Sequence, residues 1–227
     1  MGDLAAISSA FVLPDVHVYT RSSESDRLRQ GEILEALPQV KLALGSVGVG
    51  GAVENPEVET DPHPLVIVLS QDCDLEQDFD ARKSNSSTLP NILLCDVFDA
   101  AQLQTKLREQ DALGSKEWRM VRQNNNPRFQ FLRSVTVEED LRSQGMPALA
   151  VDFRLYFTIR TDELYQRLER RVTLRRCWLS TPYAEHLCDR FCHYLARIAL
   201  PIDHGDEREA YSPVTDSGGG SGTASGP

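Results

Sequence analysis

Ser70-Gln71-Asp72-Cys73-Asp74 sets a thiol between two carboxylates, directly after a hydroxyl and an amide, and Glu76, Asp78 and Asp80 prolong the acidic run. Three chemistries use such groups. Asp72, Asp74, Glu76, Asp78 and Asp80 alternate oxygen ligands as a calcium loop does, but Gln77 stands where the sharp-turn glycine belongs and Lys83 where the bidentate glutamate belongs. Cys73 is a candidate nucleophile, yet flanking anions oppose thiolate formation and no base is identified downstream. Scattered carboxylates can also hold a divalent metal for phosphoryl chemistry. The structural alternative is that Asp72 or Asp74 caps a turn or helix start, Cys73 fills a small apolar space and the other acids are solvated.

Other constellations are weaker. His186, Cys188, Cys192 and His193 have metal-ligand types, but only Cys188 and Cys192 share a helix face, so core cysteines and surface histidines are expected. Gly45, Gly48, Gly50 and Gly51 lack the Lys-Ser/Thr and the helix that a phosphate loop needs, which leaves a hairpin loop. No metal and no cofactor is expected. Asp152 and Arg154 lie two apart on a strand and, with Tyr156, Arg160 and Arg128, make either an ion pair or a partner or RNA contact. Asn124-Asn125-Asn126-Pro127-Arg128, immediately before a strand, reads first as a turn and second as a binding loop. The expected binding residues are therefore Ser70, Gln71, Asp72, Asp74, Arg128, Asp152 and Arg154.

The elements that must position these groups are mostly strands. Leu65–Leu69 is a continuous apolar run, too short for a helix and bounded by Pro64 and Ser70, so it reads as a buried strand whose polar end carries the acidic segment. Asn91–Cys95 repeats that character, and Arg128–Leu132 alternates weakly. In Leu149–Ile159 the residues Leu149, Val151, Phe153, Leu155, Phe157 and Ile159 fall on one face, a period of two over the whole segment. Val172–Leu179 is its expected partner, and 31–33 and 40–44 are short strands around Pro38. Helices are expected over 99–110, 115–123 and 182–199, the last with Thr181 as N-cap and Ala184, Leu187, Cys188, Phe191, Leu195 and Ile198 as its apolar stripe. The fold class is α+β: a mainly-β SH3-like small barrel or a bent antiparallel sheet, with an added C-terminal helix.

At 227 residues the chain suits one domain with a sizeable core. The expected organisation is an N-terminal extension (1–27), a single α+β domain (28–202) and a disordered Gly/Ser-rich tail (203–227). No apolar run approaches the length of a membrane helix, Met1–Ala10 shows no basic segment ahead of an apolar one, and five cysteines without framework spacing suit reduced thiols in a cytoplasm. The formal charge of -10 is uneven. Residues 1–100 hold 6 Lys+Arg against 17 Asp+Glu, whereas residues 101–200 hold 17 against 12. An acidic first half disfavours non-specific binding of phosphate backbones.

Gly31-Glu32-Ile33, then His63-Pro64-Leu65-Val66-Ile67-Val68-Leu69-Ser70, then Asn91–Cys95 follow the order of strand motifs in small bacterial endoribonuclease toxins. Over residues 28–100 the sequence resembles the MazF/PemK toxin family. The resemblance implies an SH3-like β-barrel with RNA-binding loops, commonly as a dimer. His63 replaces the family's arginine before proline, and no Pro-x-Thr segment follows the third strand, so the family's catalytic arginine and threonine are not matched. The function expected is a non-catalytic protein-interaction module of a bacterial stress or defence system of toxin-antitoxin type, with a protein partner encoded nearby. The alternative is a metal-independent endoribonuclease toxin, with RNA as its partner, His63 as general base and Arg128 as phosphate clamp.

Overall fold

The computed structural model describes residues 17–24, 26–43, 57–110 and 112–196. The glycines expected to form a hairpin loop and the tail 203–227 lie outside the described residues. In chain order the elements are β1 (Tyr19–Arg21), β2 (Glu32–Ala43), β3 (Glu57–Val68), α1 (Asp72–Arg82), β4 (Asn91–Asp99), α2 (Ala100–Glu109), α3 (Ser115–Arg122), β5 (Phe129–Leu132), β6 (Leu149–Arg160), α4 (Thr161–Glu169), β7 (Leu174–Leu179) and α5 (Tyr183–Leu195). All of them belong to one compact unit that runs to Leu195.

The strands form one sheet in the order β1-β7-β2-β3-β4-β6-β5, with every neighbouring pair antiparallel. The α+β expectation and the added C-terminal helix hold. The sheet has two ends and does not close into the small barrel that was the other expectation. Further details differ from the sequence reading. Residues 57–62, read from the sequence as the end of a loop over 45–62, are strand, with Glu59 opposite Lys41 and Asp61 opposite Gln39. Tyr19–Arg21, within the stretch read as an N-terminal extension, pairs with β7 at the edge of the sheet. The acidic segment after Ser70 folds as helix α1, and α4 is a further helix that the sequence reading left unassigned.

Each face of the sheet carries its own core. Ile67, Leu69, Cys95, Val97, Val151, Phe153 and Cys177 face α5, which contributes Ala184, Leu187 and Phe191. Val66, Val68, Ile92 and Leu94 face the other way, onto Leu75 of α1 and Leu164 of α4. A third cluster joins α2 and α3 to Phe129 and Ala150 through Leu103, Leu107, Trp118 and Val121. The central strands are thus apolar on both faces, which is why Leu65–Leu69 reads as a continuous run.

β6 departs from its own pattern. Its odd-numbered residues were expected on one face. Leu149, Val151 and Phe153 join the α5 side, whereas Ile159 and Phe157 pack on the opposite side. A bulge explains this: Cys95 lies opposite Tyr156 but Val97 lies opposite Val151, so Asp152–Leu155 stand against Asp96 alone. The register shift is odd, and an odd shift exchanges the faces of a period-2 strand. Leu155 and Tyr156 consequently sit exposed, directly after the buried stretch Leu149–Phe153.

β7 buries two adjacent arginines on opposite faces. Arg175 forms a two-point pair with Glu32, at 2.8 and 2.9 Å, and also donates to the carbonyls of Ser23, Asp26 and Arg27. Arg176 grips Asp140 at 2.8 Å through both Nε and Nη2 and reaches Glu35 at 2.9 Å. Burial works to raise the Asp140 carboxyl, but Arg176 and the amides of Arg142 and Gln144 outweigh it and hold the group down at about 2. A folded-state value below the unfolded one gives stability that is present at neutral pH and is lost as pH falls. The unfolding temperature is therefore expected to drop between roughly pH 4 and pH 2. A thermal melt series in that window checks it, and a flat profile there contradicts the paired state of Asp140.

Gly31 opens β2 where three strands converge. Its N–H donates to Val68 O and its carbonyl accepts from Leu179 N. It sits at φ +77°, and a Cβ there would lie 3.0 Å from Leu179 Cβ and 3.3 Å from Ala184 Cβ. Gly31→Ala combines a left-handed backbone with a tight contact and is expected to cost about 1–3 kcal/mol, read as a lowered urea midpoint. An unchanged midpoint would contradict this junction.

Candidate functional site

β3 ends at Val68, and the chain leaves the sheet through Leu69, Ser70 and Gln71. Ser70 Oγ accepts the Leu93 amide at 2.9 Å, which fixes this exit against β4. Gln71 is extended at φ -65°, ψ 142° and starts α1 without a side-chain cap bond. Asp72 is tied down: Oδ2 accepts from Arg27 at 2.6 Å, Oδ1 accepts from the Gln30 amide, and Arg27 also donates to the Asp72 carbonyl. Asp74 is exposed and takes only a long contact from the Cys73 thiol.

The helix disposes of the calcium-loop arrangement, because ligands spaced by two residues point to different sides of an α-helix. Asp78, one of the acids expected to be solvated, is 1% exposed. It accepts from Arg82, Ser87 and the amides of Thr88 and Leu89, so it anchors the 84–90 loop. Burial opposes the charge of Asp78, but these donors prevail and lower its pKa. Among the described residues no group of three or more His, Cys, Asp or Glu side chains is placed to hold a metal.

Across from this exit runs α5, and between the two lies a groove of about 710 Å³. Its apolar surface comes from Leu69, Leu93, Phe191 and Leu195, and its polar groups include Gln71, Asp72, Asp74 and Glu185. Cys73 and Cys192 are exposed along it, and half-buried Cys188 donates to the Leu69 carbonyl. No Lys, Arg or His lines the groove among the described residues. Four expected binding residues, Ser70, Gln71, Asp72 and Asp74, therefore meet here.

The other three stand apart from it. Arg128 and Asp152 bind each other through Nε–Oδ1 at 2.8 Å and Nη2–Oδ2 at 2.5 Å, and Asp152 is 2% exposed. The pair holds β5 to β6 and offers little to a ligand. Arg154 sits in the β6 bulge and is exposed, so it does not share a surface with Asp152 as the strand pattern suggested.

His63 is also withdrawn from solvent. Nδ1 lies 2.6 Å from Asp96 Oδ1, and the ring stacks on Phe157 at 4.1 Å. Nε2 is buried and has no partner among the described residues. Burial pushes the Asp96 carboxyl up, with His63 pulling the other way. The arrangement orients the imidazole as a general base would be oriented, but its reactive nitrogen faces protein.

The wall formed by α5 was read from sequence as core alone. Leu187 and Phe191 are indeed buried, whereas Cys188 is half-buried, Cys192 exposed and Leu195 49% exposed. The apolar stripe is wider than the strip of sheet beneath it, and its excess width faces the groove. His186 and His193 are exposed, as expected for surface histidines, and border a separate hollow beside Asn124 and Pro127. No described helix is long and apolar enough to cross a membrane. No family model, curated protein or solved structure matches the chain.

Proposed function

We propose that this chain is a non-catalytic protein-interaction module, that the α1–α5 groove is its docking surface, and that it serves a bacterial stress or defence system. The observation that carries the reading is an apolar-floored groove at the polar end of a central strand, lined by Leu69, Leu93, Phe191 and Leu195. Asp72, Asp78, Arg128 and Asp152 each have a protein partner, so they serve the scaffold. Concave, mostly apolar surfaces with a few polar groups are where ligands and partner segments bind. The setting in a stress or defence system, and the relation to the MazF/PemK family, rest on the strand motifs within residues 28–100.

Two measurements test this. Purified protein is expected to leave RNA intact in EDTA and in magnesium alike. Cleavage that disappears in a His63→Ala variant would establish the ribonuclease instead. A gene product from the same locus is expected to co-purify with the wild type and to be lost from Leu195→Asp, a substitution at a half-exposed position that spares the core. Full retention by Leu195→Asp removes the groove from the interface.

A further inference from the structure

We infer that the groove between α1 and α5 takes a partner segment that carries an apolar anchor flanked by lysine or arginine. The inference deepens the docking reading and depends on it. Its first support is charge. Asp74 and Glu185 are exposed on opposite walls, and Asp72 lies between Asp74 and the strand exit. Asp72 is already neutralised by Arg27, which leaves Asp74 and Glu185 as the free charges of the rim. Glu185 accepts one bond, from Thr181 Oγ1 at 2.9 Å, and keeps its second oxygen for a ligand. With no cationic side chain in the described lining, an occupant rich in Asp, Glu or phosphate would meet like charge, whereas a basic flank would meet its complement.

The second support is the helix end. The start of an α-helix presents unpaired N–H groups and a partial positive charge, an arrangement that usually attracts anions. Here Asp72 and Asp74 occupy that first turn. Asp74, whose charge Arg27 does not meet, opposes an anion at that end, so a phosphodiester is disfavoured there.

The third support is the floor. Leu69, Leu93, Phe191 and Leu195 offer apolar surface, and Ser70 Oγ and the Leu69 carbonyl are already occupied by Leu93 N–H and the Cys188 thiol. The polar groups of the floor are therefore satisfied internally, and a side chain entering it needs no polar atoms of its own. The volume of about 710 Å³ falls within the range of sites that hold a drug-sized ligand or a short peptide's anchors.

The probes are three short synthetic peptides with a fluorescent label: one with Leu and Phe anchors between Lys/Arg flanks, one with the same anchors between Glu flanks, and one with basic flanks and Ser at the anchors. An oligouridine of similar length is the fourth. The full chain is expected to bind the first peptide at least about tenfold more tightly than any of the others, with affinity falling as salt is raised. Asp74→Lys combined with Glu185→Lys is expected to reverse the preference toward the Glu-flanked peptide. Both positions are exposed, so circular dichroism should match the wild type, with the melting temperature lowered by a few degrees because lysine then stands in the first turn of two helices. Equal binding of the two anchored peptides, tighter binding of the oligouridine, or no binding of any peptide overturns the inference. So does a wild-type dimer that Leu195→Asp dissociates, since a second copy would then be the occupant. If Leu195→Asp releases the locus partner while the charge-reversed protein keeps it, the docking surface stands and the basic flank alone is refuted.

Discussion

Glu32→Ala is expected to lower stability by about 3–5 kcal/mol, because it strands a guanidinium inside the protein. Glu32 and Arg175 are both nearly inaccessible, with side chains 1% and 4% exposed. Glu32 also accepts from Ser22 Oγ at 2.7 Å and from the Arg29 amide at 3.1 Å, so one carboxylate organises three segments. Its removal leaves Arg175 with carbonyl partners and no counter-charge. For a unit of this size the loss corresponds to a fall in melting temperature of roughly 6–20 °C. Replacing both residues by leucine is expected to recover only part of the loss: the lone charge is gone, but the carbonyls of Ser23, Asp26 and Arg27 lose their donor. Calorimetry of the single and double variants decides the matter, and a single variant within 1 °C of wild type would show that Arg175 finds water or another partner.

Phe153→Ala is expected to be comparably damaging, at about 3–5 kcal/mol, through the cavity it leaves. The ring is fully buried, meets Phe191 edge-on at 5.6 Å and lies 6.0 Å from Tyr194. Both neighbours belong to α5, the wall of the groove. The variant should therefore lose groove binding in step with stability, whereas Leu195→Asp should lose binding alone. Denaturant unfolding beside the binding assay separates the two. A loss under about 1 kcal/mol would mean that α5 collapses onto the vacated space.

What the sequence disclosed, and what it concealed, follows from the range of the interactions. Leu65–Leu69 and Asn91–Cys95 are strands because their apolar runs suit a sheet covered on both faces, and that is a local property. The helices at α2, α3 and α5 carry their own periodicity. α1 does not: it buries only Leu75 and Asp78, and the apolar spacing that marks a helix is missing from it. The face exchange in β6 was equally hidden, since the alternation of Leu149–Ile159 is regular and the bulge exists only in its pairing with β4. Ser70, Gln71, Asp72 and Asp74 were legible as a site because polar groups at a strand end are conspicuous. Their opposite wall was not, because Cys188, Phe191 and Leu195 obey the same periodicity whether they face a core or a cleft. For Arg128 and Asp152 an ion pair and a partner contact were both open, because a strand pattern gives face and not depth, and the structure makes the ion pair.

Asn124 bends into the left-handed region at φ 56° and lays its amide along β5, accepting the Phe131 amide at 2.6 Å and donating to the Phe131 carbonyl at 3.1 Å. Arg190 of α5 takes the Phe129 carbonyl just beside it. One side chain thus stands in for an eighth strand. A border of this kind gives a passing chain no ladder to extend, so fibril-like stacking along β5 is blocked at its first step. Asn124→Ala should accordingly be the surface change that most shortens the protein's shelf life in concentrated solution, seen as rising light scattering while the melting temperature barely moves.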